Sequence, residues 1–214
     1  MKRVVSVVDY GMGNLRSVSM ALKHCGVEVQ ITDSPAQIRL ADCLVLPGVG
    51  AFADGMAELQ LRGLVPAIQE YAQRGRPFLG ICLGMQMMFD GSEEFQDAAG
   101  LGLIPGQVVA IPSTTADGLP HKIPHIGWNK LLMPVTGAPW DQTILDGIRP
   151  GVAVYFVHSY TAVPDRVQDR LADADYHGRI IAAAVRSGNL SGCQFHPEKS
   201  GEVGLHLIRN FLAL

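Results

Sequence analysis

The chain has 214 residues, of which 48% are hydrophobic and 17% are charged, and its formal net charge is −3. This size and apolar content predict a single globular domain over residues 1–214 with a substantial core. The slight negative charge argues against nucleic-acid binding, and the sequence shows neither a run of about 18 apolar residues for a membrane span nor a secretory signal. The four cysteines have no metal-binding spacing, so we expect a cytoplasmic protein with reduced thiols and with no metal or other cofactor.

The first half of the chain alternates short apolar strands with helical segments. The β-branched run at Val4–Val8 is typical of a buried first strand, and Gly26 is typical of the position just after a helix. The predicted strands are 4–8, 27–31, 42–46 and 77–81, and the predicted helices are 15–25, 51–73 and 84–89, with Gly63 and Pro66 as candidate breaks. This rhythm predicts a parallel sheet with helices on both faces.

Beyond Asp90 the pattern changes to short strands and turns. Further strands are predicted near 126–133, 152–157, 171–174, 180–186 and 190–195, with a surface loop at 113–124 and a closing amphipathic helix at 201–214. We therefore expect an α/β fold, in which a doubly wound, mostly parallel sheet is flanked by helices and the second half is rich in strands.

Cys82 lies between Gly80 and Gly84, where an apolar strand gives way to a helical pattern. Gly-x-Cys-x-Gly has the spacing of a nucleophile elbow, a sharp strand-to-helix turn that exposes a nucleophile at the end of a sheet. The positive end of the helix dipole favours a thiolate at that position. A buried structural cysteine is the alternative, since free cysteines are commonly buried.

His196 and Glu198 follow a late apolar strand, and residues two apart in an extended segment point to the same side. Glu198 can therefore orient the imidazole of His196 and leave its other nitrogen free as a base. A surface ion pair is the alternative for these two residues alone. With Cys82 they predict a Cys–His–Glu triad at the carboxyl ends of parallel strands.

Pro47-Gly48-Val49-Gly50 follows the third predicted strand. Its two glycines allow unusual backbone conformations and leave N–H groups open to a ligand, although an ordinary strand-to-helix turn would have the same composition. A dinucleotide site at Gly11-Met12-Gly13 is disfavoured, because the third glycine of that fingerprint is missing.

Together the segments 80–86, 196–198 and 47–50 resemble those of the class I (triad) glutamine amidotransferases, over nearly the whole chain. The resemblance implies that Cys82 attacks the side-chain amide of glutamine, that His196 shuttles protons and that Glu198 orients His196. It implies an oxyanion hole formed by the N–H of Leu83 with that of Val49 or Gly50, and glutamine contacts from Gly48, Gln86, His158, Ser159 and Tyr160.

Three further stretches, 9–18, 124–129 and 155–160, are similar to those of the glutaminase subunits of the imidazole glycerol phosphate synthase family, which act in histidine biosynthesis. Residues 47–50 read Pro-Gly-Val-Gly, where anthranilate-type relatives have Pro-Gly-Pro-Gly. The resemblance implies a heterodimer with a separate (βα)₈-barrel cyclase, which uses the ammonia to make imidazole glycerol phosphate and aminoimidazole carboxamide ribotide. By the same resemblance Asn14, Trp128 and Lys199 would lie at that interface.

The glycine-flanked turn also suggests regulation, because its glycines make a peptide flip easy. We predict that the N–H of Val49 points away from the oxyanion in the free chain and turns in only when the partner carries its substrate. The isolated chain would then hydrolyse glutamine very slowly.

Other interpretations share parts of this pattern. A flavodoxin-like binding module, or a cysteine-elbow protein of the Parkinson-associated chaperone/hydrolase type, would share the fold but does not predict Gln86 or the segment 196–198. An amidotransferase of anthranilate, aminodeoxychorismate or pyridoxal phosphate synthesis would share the site. A structural subunit with a vestigial triad is disfavoured by the intact Cys82, His196 and Glu198.

Overall fold

The computed structural model describes residues 3–95, 97–134 and 139–214. The α-helices are α1 (Leu15–His24), α2 (Pro35–Leu40), α3 (Phe52–Leu61), α4 (Val65–Ala72), α5 (Leu83–Gln86) and α6 (Gly201–Ala213). The strands are β1 (Val4–Val8), β2 (Glu28–Thr32), β3 (Leu44–Gly48), β4 (Phe78–Cys82), β5 (Phe89–Ser92), β6 (Ala98–Ala99), β7 (Ile104–Ala110), β8 (His125–Lys130), β9 (Ala153–His158), β10 (Tyr160–Pro164), β11 (Arg170–Tyr176), β12 (Arg179–Ser187) and β13 (Leu190–Cys193). Short 3₁₀ helices cover Val167–Asp169 and Pro197–Lys199.

A seven-stranded sheet in the order β11-β12-β13-β4-β3-β1-β2 forms the centre of the molecule. The strands from β13 to β2 are parallel, and β12 and β11 extend this sheet with antiparallel pairing. Neighbouring parallel strands end at one edge, so the carboxyl ends of β3, β4 and β13 lie side by side. The register pairs Gly48, the last residue of β3, with Cys82, the last residue of β4.

Helices cover both faces of this sheet because successive residues of its strands point to opposite sides. In β3, Val45 belongs to one buried cluster, which includes residues of α1 and α6, whereas Leu44 and Leu46 belong to a second cluster with residues of α3 and α4. Buried apolar side chains on both faces are typical of a doubly wound sheet.

Two smaller sheets come from the second half of the chain. One has the order β10-β7-β5-β6, and the other is the antiparallel hairpin of β8 and β9. The hairpin joins the main sheet near the site, since the N–H of His196 donates to the carbonyl of Tyr155 in β9 at 2.9 Å.

The predicted fold class is confirmed, and the elements differ from the predictions mainly at the site. Pro47 and Gly48 belong to β3 rather than to a turn, because they pair with Ile81 and Cys82 of β4. The predicted helix at 84–89 is shorter, and Phe89 begins β5 because it pairs with Ile104 of β7.

Candidate active site

The elbow at Cys82 is a sharp reversal between β4 and α5. Cys82 has φ 53° and ψ −111°, a conformation that L residues rarely adopt and that packing must hold in place. Gly84 makes this packing possible, since a Cβ there would lie 1.8 Å from the carbonyl oxygen of Leu46. The thiol therefore stands at the carboxyl edge of the sheet with 7% of the residue exposed.

His196 and Glu198 form a buried pair just beyond β13. The Nδ1 atom of His196 lies 2.8 Å from Oε1 of Glu198, and the two side chains are 2% and 1% exposed. The hydroxyl of Ser200 donates to the carbonyl of His196 at 2.7 Å and fixes the backbone there. Within the described residues Nε2 of His196 has no hydrogen-bond partner, so it is free to exchange a proton with a reactant.

The pKa of His196 reflects opposing effects of its surroundings. Burial disfavours the imidazolium, but contacts with the Cys82 thiol and the Glu198 carboxylate outweigh burial and raise the pKa to about 9. The site therefore favours the imidazolium form of His196 beside the Cys82 sulfur at neutral pH, and a neighbouring imidazolium is one way in which proteins activate a cysteine nucleophile.

A cavity of about 250 Å³ opens in front of the thiol. Its lining consists of Val49, Gly50, Cys82, Leu83, Gln86, Glu94, Pro124, Val157, His158, Ser159, Tyr160 and His196. The structure thus brings nine of the sequence-predicted site residues to one cavity. Two other predicted residues do not line the cavity: Glu198 contacts His196, and Gly48 pairs with Cys82 in the sheet.

The predicted oxyanion donors flank the thiol. Leu83 is the first residue of α5, so its N–H has no partner within that helix. Val49 and Gly50 follow β3 on the other side, and Gly50 has φ +115°, which favours glycine. A Cβ on Gly48 would lie 2.4 Å from the hydroxyl of Tyr10, so the end of β3, just before this turn, has no room for a side chain.

Two polar side chains at the site were missed by the sequence analysis. The amide of Gln194 donates to Sγ of Cys82 at 3.7 Å, and its oxygen accepts from Nε2 of Gln86 at 3.0 Å. Gln194 precedes His196 by two residues, so the period of an extended segment could have placed it on the same side. Glu94 lines the cavity and accepts from the N–H of Phe52 at 2.7 Å; it comes from the loop after β5, and no pattern in the sequence marks it.

The residues predicted at an interface lie outside the cavity. Trp128 is 60% exposed and is therefore not a core residue, and its ring meets that of Tyr155 edge-on, with centroids 6.1 Å apart. Nζ of Lys199 lies 5.8 Å from the centre of the same tyrosine ring. Asn14 caps α1, since its side-chain oxygen accepts from the N–H of Ser17 at 3.2 Å. Trp128, Tyr155 and Lys199 thus form one surface patch, called here the Trp128 patch.

Across 3–95, 97–134 and 139–214, no group of three or more His, Cys, Asp or Glu side chains is arranged to hold a metal ion. All four cysteines fall in these ranges, and each is a free thiol. None of the helices in the described part of the chain is both long and apolar enough to cross a membrane.

The fold and the Cys–His–Glu arrangement define a class I glutamine amidotransferase, and residues 6–214 match the family model described as "Glutamine amidotransferase class-I". At the level of the fold, the chain is similar to the solved structure of PurLQS from Thermotoga maritima, with a TM-score of 0.73 and 20% identity over 100% of this chain and 99% of that one. It is also similar to a crystal structure of a glutamine amidotransferase, with a TM-score of 0.70 and 19% identity over 98% of this chain and 97% of that one.

Relatives with higher sequence identity show to which family within this class the chain belongs. The chain is 52% identical to imidazole glycerol phosphate synthase subunit HisH 1 of Legionella pneumophila (strain Lens), over 98% of this chain and 99% of that protein. It is 48% identical to the HisH subunit of Moorella thermoacetica, over 98% of this chain and 94% of that protein. The chain therefore belongs to the HisH family of imidazole glycerol phosphate synthase subunits.

Proposed function

We propose that this chain is the glutaminase subunit of an imidazole glycerol phosphate synthase, with Cys82, His196 and Glu198 as its catalytic residues. The observation that carries the proposal is the placement of a thiol on a strained elbow at the same cavity as an imidazole oriented by a buried carboxylate. The 52% identity to a HisH subunit over nearly the full chain supports the same activity.

The proposed reaction uses the positions of the three triad side chains. The Cys82 thiolate attacks the side-chain carbonyl carbon of glutamine, and the N–H of Leu83, with that of Val49 or Gly50, stabilises the oxyanion. The His196 imidazolium then gives its proton to the nitrogen, the C–N bond breaks, and ammonia leaves a thioester. His196 next takes a proton from water, whose oxygen attacks the thioester, and the C–S bond breaks to release glutamate and thiolate.

The cavity supplies one carboxylate and several neutral polar groups that could bind the α-amino and α-carboxylate groups of glutamine. Glu94 is the carboxylate at the lining, which suits the α-ammonium group. The backbone at His158, Ser159 and Tyr160, together with Gln86 and the turn after Gly48, offers neutral donors and acceptors for the rest of the substrate.

We further propose a heterodimer with the cyclase subunit of the synthase, which receives the ammonia and makes imidazole glycerol phosphate and aminoimidazole carboxamide ribotide. Exposed aromatic side chains are enriched in interfaces, and the Trp128 patch lies next to the catalytic histidine through the Tyr155 carbonyl. Asn14 would flank the same surface. As part of this proposal, residues 1–214 act as one glutaminase domain in the cytoplasm, where the four free thiols would stay reduced.

The proposed regulation concerns the turn at Val49. The N–H of Val49 belongs to the peptide group between Gly48 and Val49. Glycines on both sides of Val49 make rotation of this peptide group easy, and Val49 is 40% exposed just after β3. A partner bound at this edge could therefore select the orientation in which the N–H of Val49 meets the oxyanion. One missing oxyanion donor lowers the rate by about 10²–10³.

Alkylation tests the catalytic assignment without the partner. Iodoacetamide should label Cys82 before Cys25, which is more exposed but whose pKa is raised by burial, and a non-hydrolysable glutamine analogue should protect only Cys82. Mass spectrometry of peptides identifies the labelled thiol. Equal labelling of both thiols with no protection would contradict the proposal.

A further inference from the structure

A chain of hydrogen bonds runs from the surface strand β8 to the nucleophile through buried imidazoles. We propose that His125, which is 3% exposed and does not line the cavity, is a positioning residue that fixes His158 and the carbonyl of Tyr160 for glutamine turnover. This inference rests on the proposed glutaminase function and adds a role for residues on the far side of the cavity wall.

The outer end of the chain is anchored by Asn129. Its Nδ2 donates to the backbone carbonyl of Asp175 at 2.8 Å, and its Oδ1 accepts from the N–H of Lys130 at 2.7 Å. A backbone carbonyl can only accept and a backbone N–H can only donate, so these two partners identify which atom of the Asn129 amide is the nitrogen and which is the oxygen. The second hydrogen on Nδ2 therefore points to Nε2 of His125 at 3.3 Å, so that nitrogen must be unprotonated.

The inner end is anchored by a backbone carbonyl. Nδ1 of His158 lies 2.8 Å from the oxygen of Tyr160, and a carbonyl oxygen can only accept, so Nδ1 of His158 carries the hydrogen. Its Nε2 is then an acceptor, and it lies 3.0 Å from Nδ1 of His125. The two anchors give the same answer independently: both imidazoles are Nδ1–H tautomers, and His125 donates to His158.

Both imidazoles are held neutral by their surroundings. Burial lowers the pKa of His158 to about 3, and burial, with smaller effects of His177 and His121, lowers the pKa of His125 to about 4. The ring of His125 stacks on Phe156, with centroids 4.9 Å apart, and also packs against the ring of Tyr176, with centroids 4.2 Å apart. Because His125 is neutral and packs against two aromatic rings, both the position of its ring and the direction in which Nδ1 donates are fixed.

The chain continues from Tyr160 to the thiol. The carbonyl of Tyr160 also accepts from Nε2 of Gln86 at 3.1 Å, and the same amide nitrogen donates to Oε1 of Gln194 at 3.0 Å. Gln194 in turn donates to Sγ of Cys82. The Tyr160 carbonyl therefore accepts hydrogen bonds from both His158 and Gln86, so the tautomer of His158 affects its position. Gln86 in turn orients the side-chain amide of Gln194, which contacts Sγ of Cys82.

Substitution of His125 tests this inference in the complete complex of chain and cyclase subunit. His125→Phe keeps the aromatic stacking and removes the donor, whereas the amide of His125→Asn can place a donor where Nδ1 stood. We expect His125→Phe to lower kcat/KM for glutamine by about tenfold or more, the value of one buried hydrogen bond, and His125→Asn to restore most of it. Turnover with added ammonium should not change, and His121→Phe, a control in the same aromatic cluster, should keep the full rate.

Nitrogen NMR of the ¹⁵N-histidine-labelled chain tests the tautomers without any activity. We expect a protonated Nδ1 and an unprotonated Nε2 on both His125 and His158, with the His158 pattern altered in His125→Phe. A protonated Nε2 on His158, full glutamine turnover in His125→Phe, or parallel loss of the ammonium-dependent reaction would overturn the inference. Failure of the wild-type complex to hydrolyse glutamine would instead overturn the proposed function and with it the catalytic part of this inference, whereas the tautomers test the hydrogen-bond chain independently of activity.

Discussion

Nδ1 of His196 and Oε1 of Glu198 are 2.8 Å apart in a site that excludes solvent from both side chains. Burial lowers the pKa of His196, but the adjacent Cys82 thiol and the Glu198 carboxylate outweigh burial and raise this pKa from 6.5 to about 9. A group whose pKa is higher in the folded state stabilises that state fully below its unfolded pKa, and this contribution is lost as the pH rises through its folded pKa.

We therefore predict that the free energy of unfolding falls between about pH 6.5 and pH 9 because of His196. Glu198→Gln removes the charge that favours the imidazolium, so the decline should be shallower in that variant and should end at lower pH. Urea unfolding of the wild type and of Glu198→Gln at several pH values measures the steepness of the decline and the pH at which it ends. An identical pH dependence in the two proteins would contradict the assigned coupling.

Gly48→Ala should disable the turn that carries the proposed oxyanion donors. Its Cβ would meet the Tyr10 hydroxyl at 2.4 Å and Cβ of Leu83 at 2.9 Å, so the end of β3 must move away from the elbow. We expect loss of about 10² or more in glutaminase rate and about 1–3 kcal/mol in stability. Gly26→Ala, far from the site and with no neighbour near its Cβ, should keep the glutaminase rate.

Glu94→Gln should raise KM for glutamine by roughly tenfold to a hundredfold, because a charge-assisted hydrogen bond to the α-ammonium group is replaced by a neutral one. The amide oxygen can still accept from the N–H of Phe52, so the loop should keep its place. Steady-state kinetics of the complex measure the change, and Glu93→Gln is the control, because Glu93 does not line the cavity. An unchanged KM in Glu94→Gln would remove the carboxylate from the substrate site.

Trp128→Ala should weaken binding of the cyclase subunit by about tenfold to a hundredfold, the range typical of an aromatic residue near the centre of an interface. Titration calorimetry measures the Kd. Leu61→Ala truncates another exposed apolar side chain, 80% exposed at the end of α3, and should leave the Kd unchanged. Equal affinity of Trp128→Ala and wild type would place the interface elsewhere.

Local patterns in the sequence predicted the fold class and the contact between His196 and Glu198, for reasons visible in the structure. Gly84 is required by its approach to Leu46, so the elbow has a sequence signature. The spacing of His196 and Glu198 matches the period of an extended backbone, and their pairing follows from it. Both features depend on neighbours in the sequence.

The residues that the sequence analysis missed act through contacts between distant segments. Glu94 reaches the cavity from the loop after β5, and Gln194 meets Gln86 only because β13 lies beside β4. The boundary of β3 was misplaced for a similar reason: Pro47 and Gly48 resemble a turn, but pairing with β4 extends the strand. Such contacts are properties of the folded sheet, and the local pattern could have given only the side of the extended segment on which Gln194 lies.

Cys82→Ser tests the central claim most directly, in the complex of this chain with its cyclase subunit. The hydroxyl would occupy the position of the thiol but ionises far less readily, so glutamine-dependent turnover should fall by at least about 10³ while turnover with added ammonium stays at the wild-type rate. Retention of glutamine-dependent turnover, or equal loss of the ammonium-dependent reaction, would contradict the assignment of Cys82 as the nucleophile.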